Sequence, residues 1–182
     1  MQVERKWLDR FTEMLPRRGT ILDVGCGTGD PIARHLLARH FDVSGIDSSP
    51  SLIEIARTRF PGAAWHVGDM RDLALGRSFD GLMAWHSIFH LPPDDQRGLF
   101  HRLACHAQSG TMLMFTSGWQ LDESVGDFEG DPLYHASLEP HEYRHLLAES
   151  DFEVVAYQEQ DPEAGEATVW LARSTGGSRA AD

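Results

Sequence analysis

The chain has 182 residues, a formal net charge of -12 at pH 7 and two cysteines, Cys26 and Cys105. That length suits one domain able to bury a core. The acidic balance argues against nucleic acid, whose phosphates need Lys and Arg, and two cysteines make no disulfide framework, which points to a reducing cytoplasm.

The start, MQVERKWLDRF, carries charges where a signal peptide needs an apolar stretch. No apolar run approaches the roughly 20 residues of a membrane span. Residues 1–19 are expected to form an N-terminal helix and 20–175 a single domain. The polar, glycine-rich end, 176–182, is expected to be a disordered tail.

TILDVG is a predicted strand that runs into the glycine-rich turn GCGTGD. DPIARHLLARH follows with apolar residues at helical spacing, Ile32 with Leu36 and Ala33 with Leu37, and Pro31 suits its first position. DVSGID is a second strand. SSPSLIEIARTRF is a second helix with Ser49 as N-cap, Pro50 at N1 and Leu52, Ala56 and Phe60 on one face. AAWHVGD and FDGLMAWHS are the third and fourth strands. PPDDQRGLFHRLACHA is a helix burying Leu99, Phe100, Leu103 and Ala104, and GTMLMFTS a fifth strand. The stretch GWQLDESVGDFEGDPLYHAS is a long loop by its polarity. LEPHEYRHLLAES is a helix, and FEVVAYQE and ATVWLAR are two closing strands. Met83, Met112 and Met114 are assigned to the core, while His35, His40, His101 and His106 are assigned to solvated helix surfaces.

Strictly alternating strands and helices imply a Rossmann-like, doubly wound parallel sheet covered on both faces. Such sheets bind ligands beyond the C-terminal ends of the strands, at the switch point of strand order. The glycine turn and the start of the long loop both fall on that rim.

Gly25, Gly27 and Gly29 remove side chains from alternate positions of the turn. A dinucleotide fingerprint would place its third glycine at position 30, where this chain has Asp30, with Asp23 also close. Two carboxylates and no Lys or Arg suit a ligand with an ammonium and a sulfonium, such as S-adenosylmethionine (SAM). Asp47 ends the second strand about twenty residues beyond the glycines, where an acid takes ribose hydroxyls, and Ser48 follows it. Asp69 ends the third strand on the same rim, suited to an adenine amino group, with the Met70 N–H facing a ring nitrogen.

DVGCGTG, GIDSSPSLI, VGDM and FDGLMAWHSIFHL together resemble successive motifs of class I SAM-dependent methyltransferases, over about residues 20 to 175. MFTSG and PLYHASL resemble a bacterial small-molecule subgroup. The resemblance implies a seven-stranded sheet with its last strand antiparallel. It also implies a cofactor lining of Asp23, Gly25, Gly27, Gly29, Asp47, Asp69 and Met70, with the Trp85 carbonyl facing the methionine ammonium. The subgroup carries an N-terminal segment that folds over the cofactor. Here about twenty residues precede the first strand, so that cover is short, absent or supplied by another chain. The subgroup also tends to have an acid where this chain has His86.

HEYRH, His141 to His145, matches the zinc-protease pattern H-E-x-x-H. At helical phase Tyr143, Leu146 and Leu147 centre the buried face, which leaves both histidines on the solvated side. No third ligand is evident, so no metal is expected. An Asn/Asp-Pro-Pro-aromatic turn for nucleic-acid amino groups does not follow the fourth strand, and neither cysteine suits cytosine methylation.

The expected acceptor is therefore a small molecule. A non-catalytic SAM-binding regulator is the alternative that is not an enzyme. If a general base is needed, His86 is the first candidate, then His135 and His90. Trp119 and Tyr134 are candidate substrate walls.

Overall fold

The computed structural model describes residues 5–128 and 130–176; the expected tail lies almost wholly outside them. The elements are α1 (Arg5–Glu13), β1 (Thr20–Val24), α2 (Ile32–Ala38), β2 (Asp42–Asp47), α3 (Pro50–Arg59), β3 (Ala64–Val67), β4 (Phe79–Ala84), α4 (Pro93–Ala104) and β5 (Ala107–Ser117). They continue with β6 (Asp122–Phe128), β7 (Asp131–Ser137), α5 (Pro140–Glu149), β8 (Phe152–Asp161) and β9 (Ala167–Ser174). Seven strands form one sheet in the order β3-β2-β1-β4-β5-β9-β8. Neighbours from β3 to β5 pair parallel, and β9 runs antiparallel to both β5 and β8.

Adjacent residues of β1, Ile21 and Leu22, are both fully buried and belong to different core clusters. That is the signature of a strand covered on both faces. One cluster joins Ile21, Met83 and Met114 to Trp7 and Phe11 of α1, Leu36 of α2 and Ile53 of α3. The other joins Leu22, Leu82 and Phe115 to Phe100 of α4 and Tyr143 of α5. In that second cluster the Phe115 and Trp170 rings stack with centroids 5.7 Å apart. Each fully buried large side chain contributes about 1.5–3 kcal/mol.

Helix α1 packs on the sheet. A Cβ added at Gly81 of β4 would stand 2.8 Å from Phe11, so the glycine lets the helix approach. The Trp7 indole N–H donates to Asp161 at 2.7 Å and ties α1 to the end of β8. Helix α3 begins as expected, with Ser49 Oγ accepting from the Leu52 N–H at 3.4 Å and Pro50 at N1.

Four expectations need correction. The long loop is an antiparallel hairpin, β6 with β7. Its first strand has no apolar alternation because residues 122–126 are exposed, which removes the signal. Pro31 stands at the N-cap of α2, one position before the helix. The inward face of α3 is Ile53 and Ala56, continued by Phe60, while Leu52 lines the rim pocket. His106 is buried, not solvated: its Nε2 accepts from the Leu75 N–H at 2.9 Å, which fixes Nδ1–H as donor to the Arg102 carbonyl at 2.8 Å.

Candidate active site

Strand order reverses between β1 and β4, and the turns after these two strands meet there. Ser87 Oγ donates to the Val24 carbonyl at 2.7 Å. A Cβ on Gly25 would stand 2.3 Å from the Ser87 Cβ, so glycine is required at position 25. Gly29 is required for another reason: its Cβ would meet the Trp65 ring at 2.8 Å. Above Gly27 there is open space. All three adopt positive φ.

Four N–H groups of this turn are already committed. Gly25 and Cys26 donate to the Ile46 carbonyl at 2.8 and 3.1 Å, Gly27 donates to Asp47 Oδ2 at 2.9 Å, and Gly29 donates to the Cys26 carbonyl at 2.9 Å. A phosphate needs several such donors free at once. Those four are not free for a pyrophosphate.

Its acceptors, in contrast, are in surplus. Asp23 is 1 % exposed, and its Oδ2 has no hydrogen-bond partner among the described residues. Burial, and then the Asp47 charge, push its carboxyl from 3.8 up to about 7. Burial, then Asp23 and Asp47, also push the Cys26 thiol above its usual range. Asp47 uses one oxygen on Gly27 and the other on the Ser49 N–H at 2.9 Å. A carboxylate has about four acceptor sites, so it can still take a diol. A cationic ligand rich in donors fits this corner.

A pocket of about 480 Å³ opens here, lined among others by Gly25, Asp47, Ser48, Asp69, Met70 and His86. No residue of α1 lines it. The Asp69 carboxylate is engaged by its neighbour Arg71, through the backbone N–H at 2.8 Å and the guanidinium at 2.6–3.0 Å. That guanidinium holds the Asp69 carboxyl below its usual range and reaches Asp95 at 3.3 Å. Trp85 does not line the pocket; its ring is buried and lies edge-on to His86 at 5.3 Å.

A second pocket, of about 260 Å³, adjoins the first, and His86 lines both. Phe89, Ser117, Trp119, His135 and Ser137 are among its walls. Tyr134 is not a wall of it; its backbone carbonyl lies 3.1 Å from His90 Nδ1. The three candidate histidines are brought together around Phe89: its centroid is 5.8 Å from His86, 4.8 Å from His90 and 5.3 Å from His135. His90 and His135 are 4.9 Å apart. His86 takes φ +49°, uncommon for a non-glycine residue, and its N–H donates to the buried Thr116 Oγ1 at 2.8 Å.

Elsewhere, His141 and His145 are exposed on α5 as the helical phase predicts. Their would-be partners are engaged otherwise: His145 lies 3.3 Å from Glu149, and Glu142 accepts from Arg97 at 2.5 Å.

Several lining residues escaped the sequence reading: Leu52, Arg71, Ser87, Ser117, Asp122 and Glu166. For Ser87 a signal existed, since it follows His86 in the same turn. Glu166 had none, because the β8–β9 connection reaches the rim only through the sheet order.

A family model described as a methyltransferase domain matches residues 21–110, the span from β1 into β5 and so both turns of the switch point. This chain is thus similar to the class I SAM-dependent methyltransferases. Among curated methyltransferases, it is 31% identical over 123 residues to a dTDP-4-amino-2,3,4,6-tetradeoxy-D-glucose N,N-dimethyltransferase of Saccharopolyspora spinosa, covering 66% of this chain and 49% of that protein. It is 36% identical over 106 residues to a dTDP-3-amino-3,6-dideoxy-alpha-D-glucopyranose N,N-dimethyltransferase of Streptomyces fradiae, covering 57% and 41%. The chain spans about half the length, or less, of these curated relatives. Its fold is that of SAM-bound CalS10, an amino pentose methyltransferase from Micromonospora echinaspora, with TM-score 0.77, 22% identity and 94% and 89% of the two chains covered.

Proposed function

We propose that this chain binds SAM in the larger pocket and transfers its methyl group to an amine of a small molecule held in the smaller one. The observation that carries the reading is that the two pockets adjoin, with His86 lining both. When bound, SAM supplies a methyl on a sulfonium: the amine lone pair takes it while the electron pair of the carbon–sulfur bond stays with sulfur.

In this reading the buried Asp23 and the acceptor-rich turn face the amino-acid end, and Asp47 takes the ribose hydroxyls. Met70 and Asp69 lie along the base, with Arg71 sharing the Asp69 carboxylate. The Trp85 carbonyl remains a candidate for the ammonium. An amine that arrives protonated must lose a proton before it can attack. His86 takes that proton at an imidazole nitrogen, with His135 and His90 next in the ring series. An unperturbed imidazole titrates near neutrality and suits that task. The rest of the acceleration comes from holding donor and acceptor in line. Trp119 forms a wall of the acceptor site, and Tyr134 supports it from the hairpin.

An amine is favoured over other acceptors because the two curated relatives named above are named for transfer to amino sugars. A cytoplasmic setting agrees with two free cysteines, and no helix among the described residues is long and apolar enough to cross a membrane.

The test has two stages. Calorimetry with S-adenosylhomocysteine (SAH) and with NAD should give binding of the first and not comparably of the second. Labelled SAM should then pass its methyl to members of a small-amine panel. Tight NAD binding without SAH binding would falsify the reading, and SAH binding with no transfer to any small molecule favours the regulator instead.

A further inference from the structure

We propose that the smaller pocket selects a cationic amine that carries no phosphate. This rests on the methyltransferase reading and names its acceptor class.

The cavity is lined by two carboxylates, Asp122 at the start of β6 and Glu166 in the β8–β9 connection, and by the aromatic rings of Trp119 and Phe89. No Lys or Arg lines it among the described residues. The segment that forms most of the walls is acidic throughout: between Gly118 and Trp170 the sequence has fourteen Asp and Glu against one cation, Arg144. That guanidinium is engaged elsewhere, over the rings of Tyr157 and Trp170 at 4.7 and 5.2 Å.

The hydroxyls do not offset this field. Ser117 Oγ already donates to the Gly118 carbonyl at 2.8 Å while accepting from the Trp170 indole at 2.9 Å. Ser137 Oγ accepts from the Gly118 N–H at 2.6 Å.

Such a cavity repels a diphosphate, which needs Arg, Lys or free N–H groups. It attracts an ammonium, which gains from the carboxylates and from the face of Trp119, itself 44% exposed. Neutral hydroxyl or thiol acceptors gain less from the carboxylates and nothing from a cation–π contact. The acceptor therefore enters charged and is selected by that charge. The dTDP-sugars for which the curated relatives are named would meet like charge here.

SAH is titrated alone first. Absence of binding sinks the methyltransferase reading, whatever the acceptor pocket does. Protein with and without SAH is then titrated with a matched set: D-glucosamine, neutral N-acetyl-D-glucosamine, and UDP-glucosamine, which adds a diphosphate to the same amine. Several phosphate-free amines of other shapes are run beside them.

At least one free amine is expected to bind about tenfold or more tightly than its neutral or phosphate-bearing counterpart, with an affinity that falls as salt rises. Asp122→Asn with Glu166→Gln together should weaken that amine roughly three- to tenfold, the scale of two exposed ion pairs, with SAH affinity unchanged. Equal or tighter binding of UDP-glucosamine overturns the assignment. So does an affinity indifferent to salt and to the double variant, or failure of every free amine to bind.

Discussion

The two pockets that meet at His86 are built from different materials. The larger is made by the ends of β1, β2 and β4, and its turn is fixed by hydrogen bonds from the Gly25 and Cys26 N–H groups to the Ile46 carbonyl and from the Gly27 N–H to the Asp47 carboxylate. The smaller is walled in part by the β6–β7 hairpin, whose residues 122–126 are exposed. One link from the core to the hairpin is a buried amide: Gln96 of α4 donates to the Leu91 carbonyl at 2.8 Å and to the Ala136 carbonyl at 2.9 Å, and accepts from the Tyr143 hydroxyl at 2.6 Å. A ligand common to a family can be held by strand ends that cannot move. A ligand that differs between members is held by a segment whose sequence the core does not constrain.

The sharpest way to test that division is His86, which belongs to both sides. His86→Asn keeps a residue that tolerates the left-handed backbone, and His86→Ala does not. Both should lower methyl turnover by about 10²–10⁴-fold while SAH affinity holds, if His86 is the base. Steady-state turnover of both, with His135→Ala and His90→Ala beside them, measures this. A loss under tenfold in every variant means that positioning alone does the work.

Asp23 tests the rigid side. Its carboxyl titrates near 7 when folded, against 3.8 without the fold, so the native state keeps a proton that the unfolded state has lost between those values. Stability from this group is therefore greatest below the lower value and falls as pH rises toward 7, by about 1.36 kcal/mol per unit of difference. Asp23→Asn should remove that slope and stabilise the free protein at pH 8 by roughly 1–4 kcal/mol. It should also weaken SAH. Denaturant melts at pH 5 and pH 8 decide; an unchanged slope in the variant breaks the account.

Asp47 is next in size. Asp47→Ala should cost roughly 1.5–3 kcal/mol of SAH binding, the scale of hydrogen bonds to a charged group. It should also lower the melting temperature of the free protein, because the Gly27 and Ser49 N–H groups lose their acceptor. A variant with normal SAH affinity would remove the ribose role.

Gln96 tests the hairpin's anchor. Gln96→Ala should cost about 1–3 kcal/mol of stability, since it strands two carbonyls and a hydroxyl. Amide exchange should quicken in β7 and leave β1 unchanged. Equal exchange in both would show that the hairpin does not depend on that amide.

The alternating strand and helix pattern was legible because central strands such as β1 and β4 are buried on both faces while helices bury one face. The same physics hid the hairpin. Asp122, Glu123 and Ser124 face water, so nothing marks them as strand. His106 shows the converse: a polar residue past the end of α4 looks solvated until Leu75, far away in sequence, supplies its partner.

By itself the sequence determined the sheet class, the position of the switch-point turn, the cap of α3 and the acid-rich character of the ligand corner. These follow from local pattern and from charges within a few residues of one another. Tertiary structure alone decided which glycine does what: Gly25 makes room for Ser87, Gly29 for Trp65, and Gly27 leaves its space open. It alone brought His86, His90 and His135 around Phe89, and set Glu166 in the same pocket lining as Trp119. The physical reason is sequence distance. Those neighbours lie on segments far apart in the chain, and only strand order and side-chain packing bring them within reach.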